Sequence, residues 1–479
     1  MTDSHEAVSQ NPAPPAGPPA PAAPGTAPAP AAPSGAATPA TSTGGAEVRP
    51  TRLEQALSRW ITAVLTRTMA PYQTAIVRIG FAFTWLLFLL REYPHRHELY
   101  GPDGPWSWEL GARLVERNGA FTALLWTDNT TWFELVYGLA VAASVGLLVG
   151  WRTRAMSVLF MVGVLSLQNR SVFMGDGGDN VVHLMALYLV LTRCGQVWSL
   201  DARRRRRRAA AGIPETADPE PVGVALWAVL GLALAVAQLT GFADISFTDR
   251  GPLPALGWFP GVGWATVFWG LWLGHVAWWA ARRYAPGEPR ALLDMLANLG
   301  HNAGLLIIAV EVCLIYATAG WYKVQGSRWQ DGTAVYYPMH LDYFSPWPAL
   351  SHLMASSGLI IMVITYGTVI VQVAFPFTVL NRRVKNVLLA LMITEHLSIA
   401  VMLGLPVFSL VMIAADTVFL PTAALLWVDA LPGRLAARLR GRRRSDVPRP
   451  APPQPAAPPS PTVPAQGGAP ESRTDVEAR

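Results

Sequence analysis

Residues 299–323 read LGHNAGLLIIAVEVCLIYATAGWYK, an apolar stretch that is long enough to cross a membrane and ends on a lysine. Glu311 lies inside this stretch and Lys323 closes it. An ionisable side chain near the centre of a membrane span costs about 3 kcal/mol on insertion scales, and such residues are usually functional. The stretch therefore predicts a transmembrane helix that carries functional polar groups.

The composition of the whole chain extends this prediction to several spans. Its 479 residues are 52% hydrophobic and only 14% charged, whereas soluble proteins carry about a quarter charged residues. The formal charge of +6 comes mostly from arginine, which would also suit a protein that binds nucleic acid. The arginine clusters lie between apolar stretches, however, so they indicate membrane topology, and no nucleic-acid partner is expected.

Ten apolar stretches predict an all-α, polytopic bundle in the lipid bilayer of the cell membrane. With both termini in the cytoplasm, every inner segment is basic, as the positive-inside rule requires. Omitting one span would place a basic loop outside, which disfavours an odd number. Eight spans remain an alternative if the fifth and sixth form an interfacial hairpin. The predicted spans are 72–91, 132–151, 155–168, 179–198, 222–241, 264–281, 299–320, 358–380, 386–403 and 405–428.

The segments around the predicted bundle differ from it in composition. Residues 1–50 are rich in Pro and Ala and contain almost no large apolar side chain, which predicts a disordered tail. Apolar residues at helical spacing between arginines predict an amphipathic interfacial helix over 51–70. The bundle is expected over 71–430, and 431–479 is interpreted as a basic stretch followed by a second disordered tail.

Neither a metal site nor a phosphate-binding loop is favoured. The two cysteines, Cys194 and Cys313, both fall in predicted spans, so no disulfide framework and no metal site of the Cys/His type are expected. The Gly-rich loop at 175–180 carries acids and is predicted to be a turn. Asp179 or Asn180 would cap the fourth span there.

Several polar residues are predicted to form an intramembrane network. Glu311, Glu395 and Asp416 fall near the middle of their spans, and Arg78 or a protonated neighbour is the expected partner of Glu311. His396 follows Glu395 directly, so their side chains point about 100° apart and cannot form a dyad. The network is either a structural ion pair or neutral acid that locks the bundle, or a proton path.

Lys323 and His183 are predicted to lie at one level, both facing the outside. Lys323 either extends its ammonium into water or acts as a general base beside aromatic side chains. Those aromatic residues form either a wall of low dielectric constant or an interfacial belt. The predicted substrate or quinone pocket comprises Trp321, Tyr322, Trp329, Asp331, Tyr336, Tyr337 and His340.

Four motifs resemble the horizontally transferred transmembrane (HTTM) family, which is related to vitamin K-dependent gamma-carboxylase and to sporulation-delaying protein B. The resemblance covers roughly residues 70–430, although 221–290 fits poorly and looks like an insertion of two spans. The motifs are Asp176-Gly177-Gly178-Asp179-Asn180 leading into His183, Trp198-Ser199-Leu200-Asp201, Ala319-Gly320 followed by Lys323, and Trp329-Gln330-Asp331-Gly332-Thr333-Ala334.

The resemblance implies a role for two of these residues. Lys323 occupies the position of the lysine that serves as base toward a reduced quinone, of the menaquinone or vitamin K type. His183 matches an assisting histidine. The implied activity is a quinone-dependent oxidative modification, similar to carboxylation or epoxidation, of a small molecule or an exported peptide at an outward-facing site.

Two other functions fit the sequence. A proton-coupled transporter would use the midplane acids Glu311, Glu395 and Asp416. No inverted repeat is visible between the two halves of the chain, which counts against a transporter. A non-catalytic maturation partner of an exported peptide is the third alternative, as the resemblance to sporulation-delaying protein B implies.

Overall fold

The computed structural model describes residues 51–171, 173–213, 221–242 and 262–445, and within these ranges the architecture is helical. The predicted disordered tails, 1–50 and 446–479, lie outside the described residues. The first nine helices are α1 (Arg52–Thr66), α2 (Pro71–Glu92), α3 (Arg96–Tyr100), α4 (Trp108–Asn118), α5 (Thr130–Val149), α6 (Thr153–Arg170), α7 (Gly177–Leu191), α8 (Leu200–Ala210) and α9 (Pro221–Leu239). The rest are α10 (Trp264–Tyr284), α11 (Glu288–Gln325), α12 (Ser327–Gln330), α13 (Pro348–Ala355), α14 (Gly358–Thr378), α15 (Arg382–Met402), α16 (Pro406–Asp416) and α17 (Thr422–Ser445).

Six helices in the described part of the chain are long and apolar enough to cross a membrane. They are the span Pro71–Tyr100, which begins with α2, and α5, α9, α11, α14 and α15. Helices α6 and α10 cover the third and sixth predicted spans, and the 15-residue α7 covers only the first part of the fourth. Several long apolar helices are the hallmark of a helical membrane protein.

The tenth predicted span, 405–428, is wrong as a single helix. Helix α16 ends at Asp416, a 3-10 turn covers Thr417–Phe419, and the chain then bends by 105° into α17. Pro421 stands at the bend, and proline has no N–H with which to continue a helical hydrogen-bond ladder. The break leaves Asp416 at the end of a short helix.

Small residues let the helices approach closely. A Cβ on Gly80 of α2 would lie 2.6 Å from the Cβ of Ala414 on α16. A Cβ on Gly320 of α11 would lie 2.7 Å from Cγ2 of Val373 on α14. Van der Waals packing of this kind holds membrane helices together, because lipid tails are as apolar as the side chains that they would replace.

Two of the motifs behind the family resemblance have structural roles as helix caps. The Asp176 carboxylate accepts a hydrogen bond from the Asp179 N–H, and the Asp179 carboxylate accepts one from the Asp176 N–H. The N-cap of α7 is therefore Asp176 and not the predicted Asp179 or Asn180. Asp201 accepts hydrogen bonds from the N–H groups of Arg152 and Thr153 at the start of α6, at 3.0 and 2.8 Å.

Candidate functional site

The predicted general base, Lys323, is half-buried near the end of α11, where it contacts two neighbouring helices. Its Nζ donates a hydrogen bond of 2.8 Å to Oε1 of Gln372 on α14. Gln372 in turn donates from Nε2 to Oε1 of Glu395 on α15, at 2.6 Å. The ammonium also lies 5.2 Å from the ring centroid of Trp329, within the range of a cation–π contact.

The order of these bonds fixes the orientation of the Gln372 amide. A carboxylate only accepts hydrogen bonds and an ammonium only donates them, so the NH₂ group must face Glu395 and the carbonyl must face Lys323. Gln372 is buried, with 5% of its surface exposed, so water does not compete for either bond. Glu395 therefore positions Lys323 through the amide and makes no direct ion pair with it.

A second polar cluster involves three other side chains. The hydroxyl of Tyr316 on α11 lies 2.9 Å from Nε2 of His396 on α15 and donates to Oδ2 of Asp416 on α16 at 3.1 Å. All three side chains are buried, and Asp416 has no exposed surface. Because the single hydroxyl hydrogen goes to Asp416, His396 must donate from Nε2. The cluster thus ties the broken helix α16 to α11 and α15.

The predicted pairing of Glu311 with Arg78 is wrong. Arg78 is fully buried and donates from Nη2 to the Trp198 carbonyl at 2.7 Å, where it supports the turn before α8. Glu311 is half-buried on α11 and has no hydrogen bond or ion pair to any described residue. Glu395, His396 and Asp416 are therefore the members of the predicted network that lie beside other polar side chains.

The predicted meeting of Lys323 with His183 does not occur. His183 is half-buried on α7, and its Nδ1 lies 3.0 Å from Oε1 of Gln168 on α6. Helices α7 and α11 are antiparallel, and Gly304 packs against the Tyr188 carbonyl. Both residues lie on the same side of this contact, Lys323 along α11 and His183 along α7. Lys323 is fourteen residues farther from the contact than His183, which corresponds to roughly 21 Å at 1.5 Å per residue. The amine and the imidazole thus lie at different levels.

Most of the predicted pocket residues are exposed or contact side chains other than Lys323. Trp321 and Tyr322 are 63% and 74% exposed. The Tyr336 and His340 rings are in contact, with centroids 4.0 Å apart and planes tilted by 34°, and the Arg328 guanidinium lies over Tyr337. Among the seven, Trp329 lies beside Lys323, because its ring is in contact with the ammonium.

Asp331, the remaining predicted pocket residue, organises the loop after α12. Its carboxylate accepts hydrogen bonds from the hydroxyl and the N–H of Thr333. These bonds favour the ionised form and lower the pKa of Asp331. Asp331 therefore has a local structural role in this loop.

Sequence reasoning did not single out Gln372 or Tyr316. The sequence nevertheless held a signal for each of them. Gln372 is the one amide in helix α14, which contains no charged residue, and Tyr316 lies seven residues before Lys323. Two turns of an α-helix take about seven residues, so both side chains share one face of α11. This periodicity is the signal that could have linked the two clusters.

Comparisons with family models, with curated proteins and with solved structures find no match to this chain.

Proposed function

We propose that the chain crosses the membrane ten times with both termini in the cytoplasm. Helices lie at the positions of all ten predicted spans, the last of them broken at Pro421. Cysteine labelling in intact cells tests this topology in a background with Cys194→Ser and Cys313→Ser. We expect Asp342→Cys to react with a membrane-impermeant maleimide, and Arg203→Cys to react only after the cells are permeabilised. The reverse pattern would contradict the proposed orientation.

We also propose that the protein is a membrane enzyme of the HTTM type, in which Lys323 acts as base toward a reduced quinone. The observation that carries this proposal is the bond from Lys323 to Gln372, which Glu395 orients. An amine held by a neutral amide keeps its capacity to exchange a proton, whereas a direct ion pair would favour a permanent charge. Gln372 and Glu395 would position Lys323, and His183 would have no part in this site.

The groups around Lys323 are chemically suited to a hydroquinone. To act as a base Lys323 must be neutral, and a neutral amine carries two N–H donors and one lone pair. One N–H is directed at Gln372, which leaves the lone pair to accept the proton of a ligand hydroxyl group. The indole of Trp329 offers an aromatic face beside the amine. A bound quinone would supply the redox chemistry, while Lys323 would accept the proton of its hydroxyl group.

Quinone turnover by the reconstituted protein tests this function. We expect oxygen-dependent formation of quinone epoxide from reduced menaquinone, measured by mass spectrometry of the lipid extract. Lys323→Ala should lower the rate by about 100-fold or more, the usual contribution of a general base. The matched control is Lys385→Ala, which removes an identical side chain from the start of α15 and should leave the rate within about threefold. Absence of turnover by the unchanged protein would refute the enzymatic proposal.

A second candidate function, proton-coupled transport, is favoured by the buried cluster of Tyr316, His396 and Asp416. Titratable groups inside a membrane often mark a proton path. Transport predicts substrate uptake that a protonophore abolishes and that Asp416→Asn prevents. Asp342→Asn is the matched control, because it makes the same change at an exposed position between α12 and α13, outside the predicted network. If Asp416→Asn retains protonophore-sensitive uptake, this cluster is not the proton path.

A maturation partner of an exported peptide remains the third proposal. It predicts that Lys323→Ala preserves the cellular function and that a peptide-bearing partner co-purifies with both forms. The Lys323→Ala variant thus separates this role from the enzymatic one.

A further inference from the structure

A cavity of about 890 Å³ lies at the end of the bundle opposite to Lys323. Its walls come from the start of α6 and from α8, α9, α10 and α11, and it reaches Asp294 and Asn298 on α11. Pockets of about 300–1,000 Å³ accommodate small molecules and cofactors. None of the residues in the proposed quinone site lines this cavity, so it requires its own explanation.

The cavity wall is strongly basic. Among the described residues, nine arginines and two aspartates line it, which leaves a formal charge of +7. Four of the arginines come from the basic run on α8, and the others come from α6, α10, α11 and neighbouring turns.

The two aspartates in the wall are already engaged by the protein. Asp201 binds the N–H groups at the start of α6 with both carboxylate oxygens. Asp294 lies 3.3 Å from Nη2 of Arg193 and 3.5 Å from Nε of Arg290, and it accepts a bond from the Trp278 indole at 3.1 Å. Neither carboxylate forms an ion pair with Arg154 or Arg206, two further arginines of the cavity wall.

The opposite wall of the cavity is apolar and aromatic. It is built by α9 and α10, whose contact is held by a hydrogen bond of 2.9 Å from the Trp272 indole to the Trp227 carbonyl. The Trp227 ring stacks on His275 with centroids 4.0 Å apart. Since α9 is apolar along its whole length, this wall faces the region where lipid chains would lie. A basic wall facing an apolar one suits a ligand with an anionic head and an apolar tail.

We propose that this cavity binds a phosphate-bearing amphiphile, with the phosphate against Arg154 of α6 and Arg206 of α8 and the tail along Trp227 and Trp272. Guanidinium groups bind phosphate oxygens through paired, charge-assisted hydrogen bonds. Tryptophan supplies a large apolar face beside a polar group, as at membrane interfaces. The apolar wall favours a membrane phospholipid as the source over a free phosphate compound.

The basic run on α8 provides a matched pair of variants. Arg154 and Arg206 line the cavity, whereas Arg203 and Arg207 belong to the same basic region and do not line it. The double variants Arg154→Gln/Arg206→Gln and Arg203→Gln/Arg207→Gln thus remove equal charge at different places. Equal ligand-free melting temperatures would show that both variants are folded.

Binding is measured with the full-length protein in a neutral detergent, through quenching of tryptophan fluorescence. Two probes are titrated, short-chain phosphatidic acid and inorganic pyrophosphate. We expect saturable binding of phosphatidic acid that Arg154→Gln/Arg206→Gln weakens by about tenfold or more, since charge-assisted bonds to phosphate are lost. Arg203→Gln/Arg207→Gln should change the affinity by less than about threefold.

The two probes also distinguish the sources of the phosphate. Tighter binding of phosphatidic acid, lost in Trp272→Leu, supports a lipid ligand. If pyrophosphate binds as tightly as phosphatidic acid, and its binding also depends on Arg154 and Arg206, the ligand is a free phosphate compound in the same site. Equal losses in both double variants would reduce the effect to diffuse attraction by the basic run and would overturn the proposal. Failure of both probes to saturate would overturn it as well.

Discussion

Lys323 and Glu395 are linked through a single intervening side chain, the Gln372 amide, with hydrogen bonds of 2.8 and 2.6 Å on its two sides. The three residues belong to α11, α14 and α15, so the amide also joins three helices at one point. A direct lysine–glutamate pair would need no third partner. The amide thus holds the amine in place while it separates the two charges.

Replacement of Gln372 should therefore destabilise the protein. Gln372→Leu leaves both the Lys323 ammonium and the Glu395 carboxylate without this partner, at a cost of about 1–3 kcal/mol. Thermal unfolding in detergent measures the effect. The control is Gln238→Leu on α9, where the side-chain carbonyl of Gln238 is buried and has no hydrogen-bond partner among the described residues. An equal decrease in melting temperature for both variants would show that the amide does not bridge Lys323 and Glu395.

The second buried cluster yields a prediction about a single hydroxyl group. Tyr316→Phe keeps the ring against Phe375 but removes the bonds to His396 and Asp416. Leaving buried polar partners unsatisfied should destabilise the protein by about 1–3 kcal/mol, read again as a lower melting temperature. Tyr322→Phe makes the same chemical change at a side chain that is 74% exposed, and should have little effect. Equal melting temperatures for the two variants would contradict the cluster.

The helical class and the positions of the long apolar helices could be predicted because they depend on local hydrophobic runs. The pairing of polar groups could not, since it depends on which helix faces meet. Lys323 and Glu395 were both recognisable from the sequence, yet their partner Gln372 lies on a third helix. The expected partner His183 is turned toward Gln168 instead. Depth in the membrane was a poor guide, because helices α7 and α11 are offset along their axes.

The break at Pro421 illustrates a second limit of sequence reasoning. The apolar run continues across 405–428, so hydropathy alone predicts one span. Proline is also tolerated inside membrane helices, as Pro376 in α14 shows. Whether a proline bends or breaks a helix depends on neighbours that can satisfy the freed backbone groups, and these come from other parts of the chain.

The structural role of the Asp201 motif leads to a third prediction. Asp201→Ala removes the acceptor for two N–H groups at the start of α6 and should cost about 1–2 kcal/mol, the usual effect of losing a helix cap. Asp103→Ala, at an exposed position, is the control. The two melting temperatures should differ by several degrees. If both variants melted at the temperature of the unchanged protein, Asp201 would not have this structural role.

The contact between α2 and α16 gives the last prediction. Gly80 approaches Ala414 so closely that an added Cβ would lie 2.6 Å from the Ala414 Cβ and 3.2 Å from its Cα, and a backbone atom cannot rotate away. Gly80→Ala must therefore separate the two helices, at a cost of about 1–3 kcal/mol for overpacking. Gly138→Ala on α5 is the matched control, since nothing lies within 4 Å of its added Cβ. That variant should be neutral or slightly stabilising, because alanine favours the helix. If Gly80→Ala were as stable as Gly138→Ala, the close packing of α16 on α2 would be wrong, and with it the position of Asp416 beside Tyr316.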